Sequence, residues 1–204
     1  MNFLSLSNGA IAGIVVGAAA VVIVLFAIWY FTTKNGLISL RNDMEESFST
    51  MDVYMKKRYD LIPNLVETCK GYAKHESETL SRVIQARNHA MSASPETRAE
   101  AERELNSSLK VLMTRVQEAY PQLKADSQFN NLSRQLEQLE HEIAQSRKYY
   151  NAKVKALNNK IEKFPSSFVA GKMKLVKISY FELDDISERN APKVSFDDSP
   201  KVRL

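Results

Sequence analysis

The residues that could do chemistry in this 204-residue chain are few and poorly spaced for it. His75-Glu76-Ser77-Glu78-Thr79 opens like the helical zinc motif His-Glu-x-x-His but has threonine where the second imidazole must stand. His141-Glu142-Ile143-Ala144-Gln145 fails at the same place. None of the three histidines follows a glutamate by three positions, so the Glu-x-x-His pairs of carboxylate metal bundles are absent. The single cysteine, Cys69, falls between Leu65 and Tyr72 on an apolar stripe, where a thiol acts as a small hydrophobe and not as an activated nucleophile. One cysteine also rules out an internal disulfide or a four-cysteine zinc site. Gly36, Gly71 and Gly171 are too scattered for a phosphate-cradling loop. The chain reads as a non-enzyme: no catalytic, metal-binding or cofactor-binding residues, and no cofactor.

The elements that would position any other function are helices. Six glycines and six prolines are too few for a turn-rich sandwich or barrel. The 28 basic and 24 acidic residues all lie from Lys34 onward. Ala10–Phe31 runs for 22 residues without a charge, enough to cross the ~30 Å hydrocarbon layer as a helix. It ends in Trp29-Tyr30-Phe31, as an interfacial aromatic belt would, and lacks the basic start and short apolar run of a signal peptide. Lys34, Arg41, Lys56, Lys57 and Arg58 follow it and no basic residue precedes it, which predicts a single-pass protein with its N-terminus outside and its body in the cytoplasm. Gly9, Gly13 and Gly17 recur every four residues, a packing face suited to self-association, although glycine is common enough in membrane helices for chance to produce it.

Beyond the anchor (1–33), residues 34–183 show apolar positions at three- and four-residue steps. Phe48, Met51, Met55, Ile62, Leu65, Cys69 and Tyr72 keep one coiled-coil-like phase that only Arg58 interrupts. The phase survives Pro63, which favours a kinked continuous helix to about Met91 over a reversal. Arg58, on the seam, must be paired or snorkel outward; a pair with an acid of the third helix, for example Glu140, is favoured. Gly71 falls mid-helix in this reading, which suggests either close approach by another helix or a tolerated accident. A second helix starts at Ser94-Pro95-Glu96 and stops at Pro121; a third runs from Ser127 to Phe164. At ~39, ~57 and ~82 Å these helices cannot cover one another, so the longer ones need the C-terminal segment or another copy of the chain as partner. If Pro63 reverses the chain instead, four helices of similar length close an up-and-down bundle. The fold class is therefore all-α, an N-terminal transmembrane helix followed by an antiparallel three- or four-helix bundle with long helices. Residues 184–204 read as a disordered polar tail.

Arg147, Lys148, Lys153, Lys155, Lys160, Lys163, Lys172, Lys174 and Lys177 face only Glu162 in their stretch of sequence. This block suits anionic lipid, nucleic acid or an acidic partner, or is simply a solvated face compensated by a neighbouring helix. With a continuous first helix, the third helix is expected to run away from the membrane, which disfavours lipid contact and favours an acidic cytoplasmic partner; with a reversal at Pro63 it returns toward the bilayer, where anionic lipids would attract it.

Arg58-Tyr59-Asp60-Leu61-Ile62-Pro63-Asn64-Leu65-Val66-Glu67, followed by Gly71-Tyr72-Ala73-Lys74-His75-Glu76, resembles the LemA family of bacterial membrane proteins. The resemblance continues through Ala119-Tyr120-Pro121-Gln122-Leu123-Lys124-Ala125, Phe129, Ile143-Ala144, Arg147, Tyr150-Asn151 and Phe164-Pro165. It departs at Cys69, where an aliphatic residue is usual. It implies a single span, a helical cytoplasmic domain and the bacterial inner membrane, and no catalytic residue. The expected function is a membrane-anchored scaffold that self-assembles as a homo-oligomer and acts through a protein partner. The alternative is a lipid-binding or membrane-remodelling protein using the 147–177 block; nucleic acid is not expected.

Overall fold

A computed structural model describes residues 8–72 and 77–182. Among them the chain forms six helices and no strand: α1 (Asn8–Lys70), α2 (Ser77–Ser92), α3 (Arg98–Ala119), α4 (Pro121–Lys124), α5 (Ser127–Glu162) and α6 (Ser166–Lys172). The predicted tail (184–204) lies outside the described residues.

Helix α1 joins two chemistries without a break. Its first part is long and apolar enough to cross a membrane and is exposed over most of its length, Val16 and Ile23 being 69% and 68% exposed. From Leu37 the pattern changes. Leu37, Met44, Met51, Arg58 and Leu65, each seven residues apart, are buried, as are Met55, Ile62 and Cys69 at the second heptad position. The stripe thus begins two heptads earlier than Phe48 and Met51 alone suggest. α1 passes through Pro63, whose ring faces solvent, so the reading of continuity at that proline holds.

The helix ends at Lys70 and not near Met91. Gly71, the weakest helix former in this stretch, ends it, and the Tyr72 amide bonds back to the Cys69 carbonyl at 3.1 Å. A β-carbon at Gly71 would meet only the Thr68 carbonyl oxygen at 3.5 Å, so the glycine marks a terminus and not a close helix crossing. Tyr72 accordingly leaves the stripe and is exposed.

Two compact units divide the chain, one formed by the residues up to Asp60 with Ser133–Phe181, the other by Leu61–Leu132. In the second unit the end of α1 lies beside the first turns of α2: Val66 and Lys70 line one groove with Leu80, Ser81 and Ile84. α2 buries Leu80, Val83, Ala86 and Ala90 and packs on α3, where His89 Nδ1 meets Glu104 at 2.8 Å. α3 starts at Arg98, after a turn in which the Ser94 carbonyl accepts from the Thr97 and Arg98 amides, three residues later than a Ser94 cap with Pro95 as first helical residue suggests. Ala101, Leu105, Leu112 and Val116 form its buried face. The single-turn α4 buries Leu123. Asp126 caps α5 by accepting the Phe129 amide at 2.8 Å; that bond, with one from the Tyr72 hydroxyl at 2.9 Å, holds its carboxyl below the usual range.

In the first unit α1 and α5 run antiparallel, as Arg58 with Glu140, Phe48 with Tyr150 and Asp43 with Lys153 show. α5 buries Leu136, Ile143, Tyr150, Val154 and Leu157. Among the partners left open for the longer helices, the C-terminal segment fills this place within the unit: Phe181 packs edge-on against both Phe48 and Tyr150. Ile143→Ala, at a fully buried position, is expected to cost about 2–5 kcal/mol in thermal unfolding. Lys155→Ala, on the exposed face of the same helix, is expected to stay within about 0.5 kcal/mol of the parent.

Candidate functional site

The seam between α1 and α5 carries the polar groups that sequence reasoning singled out. Arg58 is 0% exposed and its guanidinium donates to the Glu140 carboxylate, the acid expected from the sequence. The pair is asymmetric, because Glu140 keeps 44% of its side-chain surface in solvent. Desolvation therefore falls almost wholly on the arginine, and the carboxylate offsets it from a partly wet position. Tyr59 beside it is buried, while Asp60 is exposed.

A second set of polar contacts was not legible. Asn158 accepts the Ile178 amide at 3.0 Å and donates to the Ile178 carbonyl at 2.8 Å. Asn151 does the same with Phe181, at 2.9 and 3.0 Å. Each carboxamide thus occupies both backbone groups of one residue, as a neighbouring strand would. The spacing works because seven helical residues rise ~10.5 Å and three extended residues span about 10 Å. Asn151 is a family-motif position; Asn158 was missed, although an amide between Val154, Leu157 and Ile161 on an apolar face is a signal of a buried backbone partner.

The other motif residues take structural places. Tyr150 is buried in the aromatic cluster and Arg147 is half-buried. In the second unit Pro63 and Asn64 are exposed, the Asn64 carbonyl accepts from Thr68 Oγ1, and Tyr120 and Pro121 form the junction of α3 and α4. His75 and Glu76 lie outside the described residues. Gly13 and Gly17 meet no atom within 4 Å, so their face is open; the surroundings of Gly9 lie outside the described residues.

The basic block is only partly compensated. Lys153 bonds Asp43 at 3.0 Å and Lys177 bonds Glu162 at 2.9 Å, and these carboxylates hold both ammonium groups above the ordinary lysine range. Lys148, Lys155, Lys160, Lys163, Lys172 and Lys174 are exposed. The end of α5 does not run away from the apolar segment. Phe164, Pro165 and Phe168 share a groove of about 430 Å³ with Phe26 and Trp29 of α1. The expectation failed because it assumed that only Pro63 could turn the first helix. The first helix ends at Lys70 instead, α2 and α3 follow in the sequence, and α5 pairs directly with α1 in the opposite direction.

No group of three or more His, Cys, Asp or Glu side chains among the described residues could hold a metal ion. His89 and His141 are exposed. Burial pushes the Cys69 thiol up to about 11, leaving little thiolate near neutral pH.

The LemA family model matches residues 47–196, and a protein of Metamycoplasma hominis named Protein LemA is 26% identical over 163 residues, 79% of this chain and 74% of that protein.

Two outcomes follow from the geometry. Glu140→Ala takes a carboxylate away from a fully buried guanidinium and is expected to cost at least ~1 kcal/mol more in urea unfolding than Arg58→Leu, which leaves behind a carboxylate that is already partly wet; the reverse order would refute the asymmetry. Iodoacetamide should leave Cys69 unmodified in the folded protein near neutral pH and label it on unfolding.

Proposed function

The chain belongs to the LemA family, and we propose that it is a non-enzymatic, single-pass scaffold of the bacterial inner membrane, with its N-terminus outside and its helical body in the cytoplasm. The observation that carries this reading is the unbroken α1, whose uncharged first part continues into the buried stripe beginning at Leu37. A helix without a linker transmits position: the body is held at a set distance from the bilayer and turns with the span. Orientation follows from the basic residues after the span. Self-association occurs through the face that carries Gly9, Gly13 and Gly17, open at Gly13 and Gly17, where a second backbone approaches closely. The body then presents a protein partner with several copies at once, which raises avidity without new contacts.

The detergent-extracted full-length protein is expected to show an oligomeric mass by light scattering, and Gly13→Ile to reduce it. A monomeric parent would end the self-association part. For orientation, Lys155→Cys should react with an impermeant maleimide only in permeabilised cells; labelling of intact spheroplasts would reverse the topology.

A further inference from the structure

A second apolar surface lies beside the span. Phe164 is 88% exposed and Phe168 53% exposed, and with Pro165 they line the groove whose other wall is Phe26, itself 55% exposed, and Trp29. Phe26 and Trp29 belong to the last turns of the uncharged segment, so this groove continues the apolar surface of the span and is not a pocket of the body. α6 is built to present it. Ser166, Val169 and Ala170 turn inward and are buried, while Phe168 and Lys172, four residues apart, share the outer face, and Phe164, in the turn before the helix, joins Phe168 along the groove. Lys172 Nζ sits 5.4 Å from the centre of the Phe168 ring.

Charge surrounds this face. Lys160, Lys163, Lys172 and Lys174 are exposed and make no ion pair among the described residues; Glu162, the acid of this stretch, is engaged by Lys177. The α1–α5 register set by Asp43 with Lys153, carried to the end of α5, brings Lys163 level with Lys34, the first charge after the span. Phenyl rings at the edge of a hydrocarbon layer with lysines just outside it match the depth profile of a bilayer interface, apolar below and anionic above. A nucleic acid offers phosphates and stacking faces but has no apolar layer for a surface continuous with a membrane helix.

We infer that Phe164-Pro165 and α6 form a second, interfacial membrane contact, with the phenyl rings in the bilayer boundary and Lys160, Lys163, Lys172 and Lys174 on anionic phospholipid headgroups. The inference rests on residues 10–31 being a span. The protein then holds its membrane at two points of one unit, and anionic lipid gathers where α5 returns.

Trp29 is the chain's one tryptophan, so the test uses depth-dependent fluorescence. Full-length parent and a Trp29→Phe/Phe164→Trp variant are placed in nanodiscs of phosphatidylcholine with or without phosphatidylglycerol, using brominated lipid as quencher. The variant is expected to show blue-shifted emission and strong quenching, more so with phosphatidylglycerol. Adding Lys160→Glu, Lys163→Glu, Lys172→Glu and Lys174→Glu should reduce that quenching several-fold in anionic discs, with helicity by circular dichroism unchanged. Water-like, unquenched emission at position 164 with Trp29 quenched in the parent overturns the inference and leaves the span standing. An unquenched Trp29 overturns both. Emission at 164 that responds to single-stranded oligonucleotide but not to anionic lipid overturns it in favour of nucleic acid.

Discussion

The seven-residue spacing of Leu37, Met44, Met51 and Arg58 keeps one face of α1 turned inward over about six helical turns, and most of the first unit depends on that phase. A helix of 3.6 residues per turn drifts slowly against a seven-residue repeat, so the stripe stays on one side long enough for a second long helix to follow it. α5 does so in the opposite direction, and Arg58–Glu140, Phe48–Tyr150 and Asp43–Lys153 mark the register. Apolar side chains alone would tolerate a slip of one heptad. The buried guanidinium favours the observed register, in which it meets the Glu140 carboxylate.

Polar groups do similar work at the outer layer. The segment after α6 has no regular hydrogen bonding of its own, yet Ile178 and Phe181 have their backbone groups satisfied by the carboxamides of Asn158 and Asn151. That satisfaction lets an irregular strand lie against α5 and lets Phe181 complete the ring cluster with Phe48 and Tyr150. The chain thereby covers part of its own longest helices, which reduces how much apolar surface is left for another copy and places more of any self-association on the N-terminal segment.

Much of this was legible because helices announce themselves locally. The limits of α5, the stripe of α1, its passage through Pro63 and the Arg58–Glu140 pair all follow from periodicity and from the cost of an unpaired buried charge. The misses are of one kind. Tyr72 fits the stripe numerically but leaves it because Gly71 ends the helix, and Ser94 looks like a cap although the turn it starts delays α3 to Arg98. In both cases several local signals competed, and tertiary packing chose among them.

Composition and spacing by themselves determined the uncharged segment, the helical class and the phase of the buried stripes, since each is a property of neighbours along the chain, while the family followed from the resemblance of the motifs. Direction was decided only by the tertiary structure. An amphipathic stripe reads the same whether its helix points toward or away from another, so nothing in the periodicity of α5 could say where its basic end would lie. The turn after Lys70 and the pairing of α1 with α5 placed Phe164 and Phe168 against Phe26 and Trp29, turning a charge run into part of a surface next to the apolar segment.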